Sequence, residues 1–451
     1  MTRETLRQGA AMLALATLAA CGGTDRRTDR GPGGAAGDTT SAAAGGEVAR
    51  CAHGDDALRL PDGFCAEIFA DSVGGARDIA VAPNGDVFVQ LISAKRGAEG
   101  GSGSGGIVAL RDVNHDGRAD TSARFGAVGG TGIGIHDGHL YADQRTRIVR
   151  WTLPDGSLTP TGDPQAIVID LPTGGHEARN FTFDGSGALY VNVGSNTNSC
   201  QVKDRTRGSP GHDPCTELET RAGIWRFDAN RAGQTQRTGE HFATGIRNAM
   251  GLVVSPIDGA IYATQHGRDQ LFQNWPDHFD AKAGAENPAE ELVQVRKGDD
   301  FGWPYCFYSM EARKLVLAPE YGGDGRAVGR CASKREPLAV FPGHWAPMSA
   351  LVYTGTMFPP RYRGGVFVAF HGSWNRAPEP QAGYRVVFVP MKDGKPSGAY
   401  ETFANGFGGA APSPSSAAHR PVGLAQAPDG AVFVTDDKGG RIWRITYVGG
   451  R

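Results

Sequence analysis

Along the chain, short apolar runs recur in one order: an apolar strand, a turn containing glycine, then a strand rich in β-branched and aromatic residues. The order appears at Ile79–Gln90 (IAVAPNGDVFVQ), Ile133–Asp143 (IGIHDGHLYAD) and Phe181–Val193 (FTFDGSGALYVNV). It returns at Leu252–Gln265 (LVVSPIDGAIYATQ), Leu351–His371 (LVYTGTMFPPRYRGGVFVAFH) and Leu424–Asp436 (LAQAPDGAVFVTD). Asn-Gly, Asp-Gly and Gly-Gly between such runs signal hairpins, because tight turns need the positive φ that glycine adopts freely. A further strand trails each copy: Ile107–Arg111, Ile148–Trp151, Ile224–Phe227, Leu292–Val295, Val386–Pro390 and Ile442–Ile445. Six hairpins with six trailing strands predict six small antiparallel sheets. A sheet of three or four strands is marginal alone, whereas radial packing of six buries their faces and protects their edges. The turn glycines from Gly85 to Gly430 are spaced by about 69 residues on average, long for a WD40 or kelch blade. The predicted fold is therefore an all-β, six-bladed β-propeller with long inter-strand insertions. Phe64–Ala70 is expected to close the ring against the blade ending at Tyr447; a pair of β-sandwiches is the competing arrangement.

Composition agrees. Among 451 residues, 67 Gly and 27 Pro exclude a mainly helical chain, since both break helix interiors. The glycines follow no three-residue period, which excludes collagen. Hydrophobic residues at 39 % suffice for a large core, and a net charge of −2 leaves no nucleic-acid footprint.

The first 20 residues carry Arg3 and Arg7 and then the apolar run Ala10–Ala20, the layout of a bacterial export signal. The run ends Leu18-Ala19-Ala20-Cys21, which resembles the lipobox of a bacterial lipoprotein. The expected organisation is a lipoprotein signal peptide over 1–20, a lipid-anchored flexible tether over 21–50, and a propeller catalytic domain over 51–451. Cys21 is the lipidation candidate, and the chain is expected in the periplasm, held to a bacterial membrane, the outer one, only through that anchor. Six cysteines remain: Cys51, Cys65, Cys200, Cys215, Cys306 and Cys331. An even number in an exported chain reads as disulfides. Sequence neighbours favour Cys51–Cys65, Cys200–Cys215 and Cys306–Cys331, among 15 possible connectivities. No C-x-x-C-H haem motif occurs.

Chemistry-bearing residues cluster beside the hairpins: GGHEARN over 174–180, GIRNAMG over 245–251, QHGRD over 265–269, GDDFGWP over 298–304, HGSWNR over 371–376 and HRPVG over 419–423. In this order, with YTG…FP…YRGGVFVAFHGSWNR and RPVGLAQAPDG, they resemble the pyrroloquinoline quinone (PQQ)-dependent soluble sugar dehydrogenases, particularly the sorbosone and aldose sugar dehydrogenase branches. The resemblance covers roughly Leu60 to Tyr447.

The resemblance implies oxidation of a small-molecule sugar by hydride transfer to PQQ with Ca²⁺ assistance, electrons then leaving to a separate acceptor. His176 matches the general base, a role suited to a group titrating near working pH. Arg247 matches the arginine that stabilises charge developing on the quinone, and Asn248 a neighbouring cofactor contact. Arg420, Arg376 and His371 match groups facing the cofactor carboxylates, where a guanidinium fork suits bidentate binding. The carbonyls of Gly267 and Arg268 match the calcium ligands, oxygen donors for a hard cation. Glu290 and Glu291 resemble an acidic pair holding a second calcium. Gly175 and Gly267 are read as sites where backbone approaches a flat cofactor. Separately, Asp112-x-Asn114-x-Asp116-Gly117 satisfies the first half of a calcium loop. Its twelfth position is Ala123 rather than Glu, and a plain Asp-Gly turn explains it equally.

Two positions depart from the family pattern. The acidic residue that orients the histidine nineteen positions later is here Ser195, so the base is expected to be positioned by other means. The second of two cofactor arginines is Val422. These departures keep in view a non-catalytic propeller that binds glycan or protein; a calcium-dependent lactonase-type hydrolase on the same fold is a separate alternative.

Overall fold

A computed structural model of the chain describes Cys51 and residues 54–93 and 104–449. The predicted signal peptide, Cys21 and the tether up to residue 50 lie outside the described residues. The rest forms six four-stranded antiparallel sheets, five of them ordered as the chain runs, plus two small hairpins. Blade 1 is Ala76–Val81, Val87–Ser93, Ser104–Arg111 and Thr121–Phe125; blade 2 is Ile133–His136, His139–Asp143, Ile148–Thr152 and Thr161–Val168. Blade 3 is Phe181–Phe183, Ala188–Val193, Gly223–Asp228 and Glu240–Thr244; blade 4 is Ala249–Val254, Ile261–Gln265, Glu290–Val295 and Ala339–Phe341. Blade 5 is Pro347–Val352, Val366–Phe370, Arg385–Val389 and Glu401–Ala404. Blade 6 takes Pro421–Gln426, Val432–Asp436 and Ile442–Tyr447, and borrows its fourth strand, Phe64–Ala70, from the start of the domain. The six-bladed propeller and its closure stand as expected, with register running from Phe64 opposite Tyr447 to Ala70 opposite Ile442.

The second strands are buried along their length, as in Ala188–Val193 and Val366–Phe370, because both faces are covered by neighbouring blades. Aromatic rings lock the seam where the ring closes. Phe64 meets Phe358 edge-on at 4.8 Å and Phe403 at 5.0 Å, beside Tyr362, Phe388 and Trp443. All three disulfides pair sequence neighbours: Cys51–Cys65, Cys200–Cys215 and Cys306–Cys331. Two staple the insertions of blades 3 and 4, and the third staples the closing strand.

Antiparallel pairing places the start of each inner strand beside the end of the second strand, as Ala249 beside Gln265 and Pro421 beside Asp436. In blades 1, 4, 5 and 6 a register shift follows at once, spanning Ala76/Ile79, Ala249/Leu252, Pro347/Ser349 and Pro421/Leu424. Such bulges re-aim side chains; here they carry Arg77, Asp78, Met250, Met348 and Val422. Two blades use the same link to the next. Thr264 Oγ1 accepts the Gly251 N–H (2.8 Å) and donates to the Pro347 carbonyl (3.3 Å). Thr435 Oγ1 accepts the Gly423 N–H (2.8 Å) and donates to the Arg77 carbonyl (2.6 Å). Gly423 is required there, since a Cβ would lie 2.7 Å from that carbonyl.

Thr435→Val keeps the shape of a fully buried side chain but strands both backbone partners. It should lower stability by about 1–3 kcal/mol in chemical denaturation, whereas Val113→Ser, at a side chain 58 % exposed, should change it by no more than about 0.5 kcal/mol.

Candidate functional site

The residues at the inner-strand starts and second-strand ends converge on one face in two groups. The first joins blades 3 and 4. Before blade 3, the loop carrying His176 is held from within by Arg179, which donates to the carbonyls of His176 (3.2 Å), Ala178 and Pro172. Gly175 packs this loop on the next one: a Cβ there would lie 2.4 Å from the Asn196 backbone. His176 Nδ1 sits 2.9 Å from the Ser195 carbonyl and 3.0 Å from Ser195 Oγ. Ser195 in turn donates its N–H to the Arg247 carbonyl at 2.8 Å. Burial and then the nearby Arg247 push the imidazole down to about 3, so it is neutral and its nitrogen lone pair is available. The position nineteen residues after the histidine is thus occupied by its partner after all, with neutral oxygens where a carboxylate was expected.

Arg247 is buried, and four hydrogen bonds fix its guanidinium. Its guanidinium donates to the Asn198 carbonyl (3.1 Å), Asn198 Oδ1 (3.0 Å), the Gly267 carbonyl (2.9 Å) and Asp269 Oδ2 (2.9 Å). Burial alone would raise the Asp269 carboxyl, but Arg247 and Arg205 outweigh it and hold the group ionised. Asn375 donates to its other oxygen at 2.7 Å. Asn248 lies alongside, its Oδ1 accepting from Asn192 at 3.0 Å.

The second group straddles the seam of blades 5, 6 and 1. His371 Nε2 donates to Asp437 Oδ1 (2.8 Å), and Arg77 Nη1 pairs with Asp437 Oδ2 (3.1 Å). Arg420 donates to the carbonyls of His371 (3.2 Å) and Gly372 (2.9 Å). Arg77 and Asp437 were not foreseen from the sequence, nor was Asp269; Arg77 Nε is buried without a hydrogen-bond partner. Asp78, half-buried beside Asn180, is pushed up to about 7 by burial. Val422 packs with Met250, Met348 and Ala178 in a buried apolar cluster, which explains why no second arginine stands there.

Two expectations are corrected, at Arg376 and at the Glu290–Glu291 pair, and the structure gives the surroundings of two further groups. Arg376 does not face a ligand: it donates to the carbonyls of Ala285, Gly343 (2.9 Å) and Pro380 (3.1 Å) and pairs with Glu286, clamping the blade 4 insertion. Glu290 and Glu291 are not a convergent acidic pair, because successive strand residues point to opposite faces. Glu290 accepts the Gly267 N–H (3.0 Å) and Glu291 accepts from Gln265 Nε2 (3.0 Å); burial raises each to about 8. Asp112, Asn114 and Asp116 lie on an exposed turn of blade 1, where Asp112 accepts the Asp116 and Gly117 N–H groups and Asn114 bonds Asp116 and Asp120. Gly175 and Gly267 admit neighbouring chain: a Cβ at Gly267 would lie 2.8 Å from Pro288. The Gly267 carbonyl accepts from Arg247, while the Arg268 side chain turns away to pair with buried Glu320. Among the described residues no three His, Cys, Asp or Glu groups converge as a metal site.

A propeller with a neutral, oriented histidine and fixed arginines at one face defines the class. The chain belongs to the TrAA12-like family, whose model matches residues 58–448. It is 32 % identical over 211 residues to an uncharacterized protein of Borreliella burgdorferi, and 26 % over 272 residues to the PQQ-dependent pyranose dehydrogenase of Coprinopsis cinerea. These matches cover 46 % and 51 % of this chain, and span only 49 % and 35 % of the two relatives. Aldose sugar dehydrogenase YliI of Escherichia coli is 21 % identical over 62 % of this chain and 59 % of its own. In fold, the chain resembles the calcium structure of the Trichoderma reesei AA12 enzyme, with TM-score 0.70, 18 % identity and coverage of 86 % and 97 %. The holo pyranose dehydrogenase PQQ domain of Coprinopsis cinerea gives 0.67 at 20 % identity, covering 86 % of this chain and 97 % of that one.

Burial would raise the Asp437 carboxyl, yet His371 and Arg77 hold it below the ordinary range. A depressed folded value adds stability above the unfolded value of about 3.9 that is lost as pH falls. Thermal unfolding should therefore show stability falling below about pH 4. Asp437→Asn should cost about 3 kcal/mol at pH 7 and flatten that acid-side loss.

Proposed function

We propose that this chain is a PQQ-dependent sugar dehydrogenase. The observation that carries the reading is the link His176–Ser195–Arg247: a neutral imidazole and a buried guanidinium joined through one residue on the face where the family motifs gather. The names of the two dehydrogenase relatives support the same chemistry.

The donor set fits an anionic quinone. Arg77, Arg247 and Arg420 stand at the inner-strand starts of that face, Arg77 Nε buried there without a hydrogen-bond partner, and the buried Met250–Met348–Val422 cluster lies among the inner strands. Arg420 and Arg77 would hold carboxylates, Asn248 and Arg247 the quinone end. PQQ, when bound, supplies a two-electron acceptor for the hydride leaving the sugar carbon. His176 Nε2 takes the hydroxyl proton as that carbon is oxidised, and its low basicity keeps it unprotonated at neutral pH. Arg247, already oriented by Asp269 and Asn198, needs no rearrangement to offer positive charge where negative charge develops. Calcium would find the carbonyls of Gly267 and Arg268; its usual 6–8 oxygens would have to be completed by cofactor and water. The same proposal includes a separate electron acceptor and export to the periplasm with a lipid anchor at Cys21; three disulfides favour an oxidising compartment.

Purified protein reconstituted with PQQ and Ca²⁺ should reduce a redox dye in the presence of pyranoses or other aldoses. Absence of both tight PQQ binding and dye reduction would overturn the reading. His176→Ala should lower kcat by about 10²–10⁴-fold while PQQ binding persists.

A further inference from the structure

We infer that Ser195 is the positioning residue for His176, fixing the imidazole as the Nδ1–H tautomer and leaving Nε2 as the base. The inference rests on the dehydrogenase reading for its consequence, but not for its geometry. Ser195 Oγ spends its single proton on the Thr197 carbonyl, 2.7 Å away. It can therefore only accept from Nδ1, and the Ser195 carbonyl, also within reach of Nδ1, can only accept as well. Two acceptors on one ring nitrogen require a proton there.

The loop is held in place independently of the histidine. Glu217, on the 3-10 turn that begins next to Cys215, accepts the N–H groups of Asn196 (2.7 Å) and Thr197 (3.2 Å) and the Thr197 hydroxyl. The Cys200–Cys215 disulfide anchors both ends of this arrangement. From blade 4, the charged or titratable groups near the ring are Arg247, Asp269 and His266. On its own loop, Glu177 is turned to the Gly174 N–H and Arg145. No carboxylate hydrogen-bonds Nδ1 among the described residues. A protonated imidazole therefore gains no ion pair from its orienting group, and the base works at lower pH than a carboxylate-paired histidine would.

The test uses nitrogen-detected NMR of the apoprotein, with the His176 signal assigned by its loss in His176→Gln. The wild type should show a neutral Nδ1–H ring. Ser195→Ala keeps the carbonyl and should keep the tautomer, with kcat reduced about 2- to 10-fold at unchanged KM, the worth of one neutral hydrogen bond. Ser195→Asp should raise the His176 titration midpoint, and the acid limb of kcat/KM, by about 1–3 pH units. An Nε2–H or mixed tautomer in the wild type would overturn the inference, as would an unmoved midpoint in natively folded Ser195→Asp. Failure of the dehydrogenase reading is distinguishable: the apoprotein tautomer would stand while PQQ-dependent turnover was missing.

Discussion

The functional face depends on the pairing of Phe64–Ala70 with Ile442–Tyr447, which turns an arc of blades into a ring. Bringing together strands so far apart in sequence carries a loop-closure cost that grows only logarithmically with length. The aromatic cluster around Phe64 and the main-chain ladder offset it locally. What the closure determines is positional. Arg77 belongs to the first blade, whereas Asp437 and Thr435 belong to the last, and both contacts cross the seam. Arg77 joins the candidate site only because the ring is shut.

Within the ring, antiparallel geometry does the sorting. Strand starts and strand ends share one edge, so residues from different blades can meet there. The bulges then turn Arg77 and Asp78 from the sheet plane toward that edge. Buried ion pairs such as Arg247–Asp269 add little net stability, because desolvation offsets their attraction. Their use here is orientation: four acceptors hold one guanidinium in a single pose.

Much of this was legible in the chain. Hairpins, trailing strands and disulfides follow local rules, and the closing strand could be read because Phe64–Ala70 had no other sheet to join. The outer strands were harder: Thr161–Val168 is exposed over most of its length and carries no apolar alternation. The opposed directions of Glu290 and Glu291 follow from strand periodicity alone, and treating them as a pair overlooked it. Arg77 and Asp437 carry no local signal, and Asp269 lay in a motif without a role of its own, since their partners lie on other blades or across turns that tertiary packing sets. Arg376 misled because its motif is genuine while its side chain serves the scaffold. At Ser195 the spacing was right and the chemistry unexpected.

That last position has a consequence for how the site can change over evolutionary time. One of the two oxygens that orient the histidine belongs to the main chain, so any residue placed there brings it along. The side chain is then free to drift between hydroxyl and carboxylate without the ring losing its bearing. On the proposed reading, substitution at such a site retunes the base rather than abolishing it.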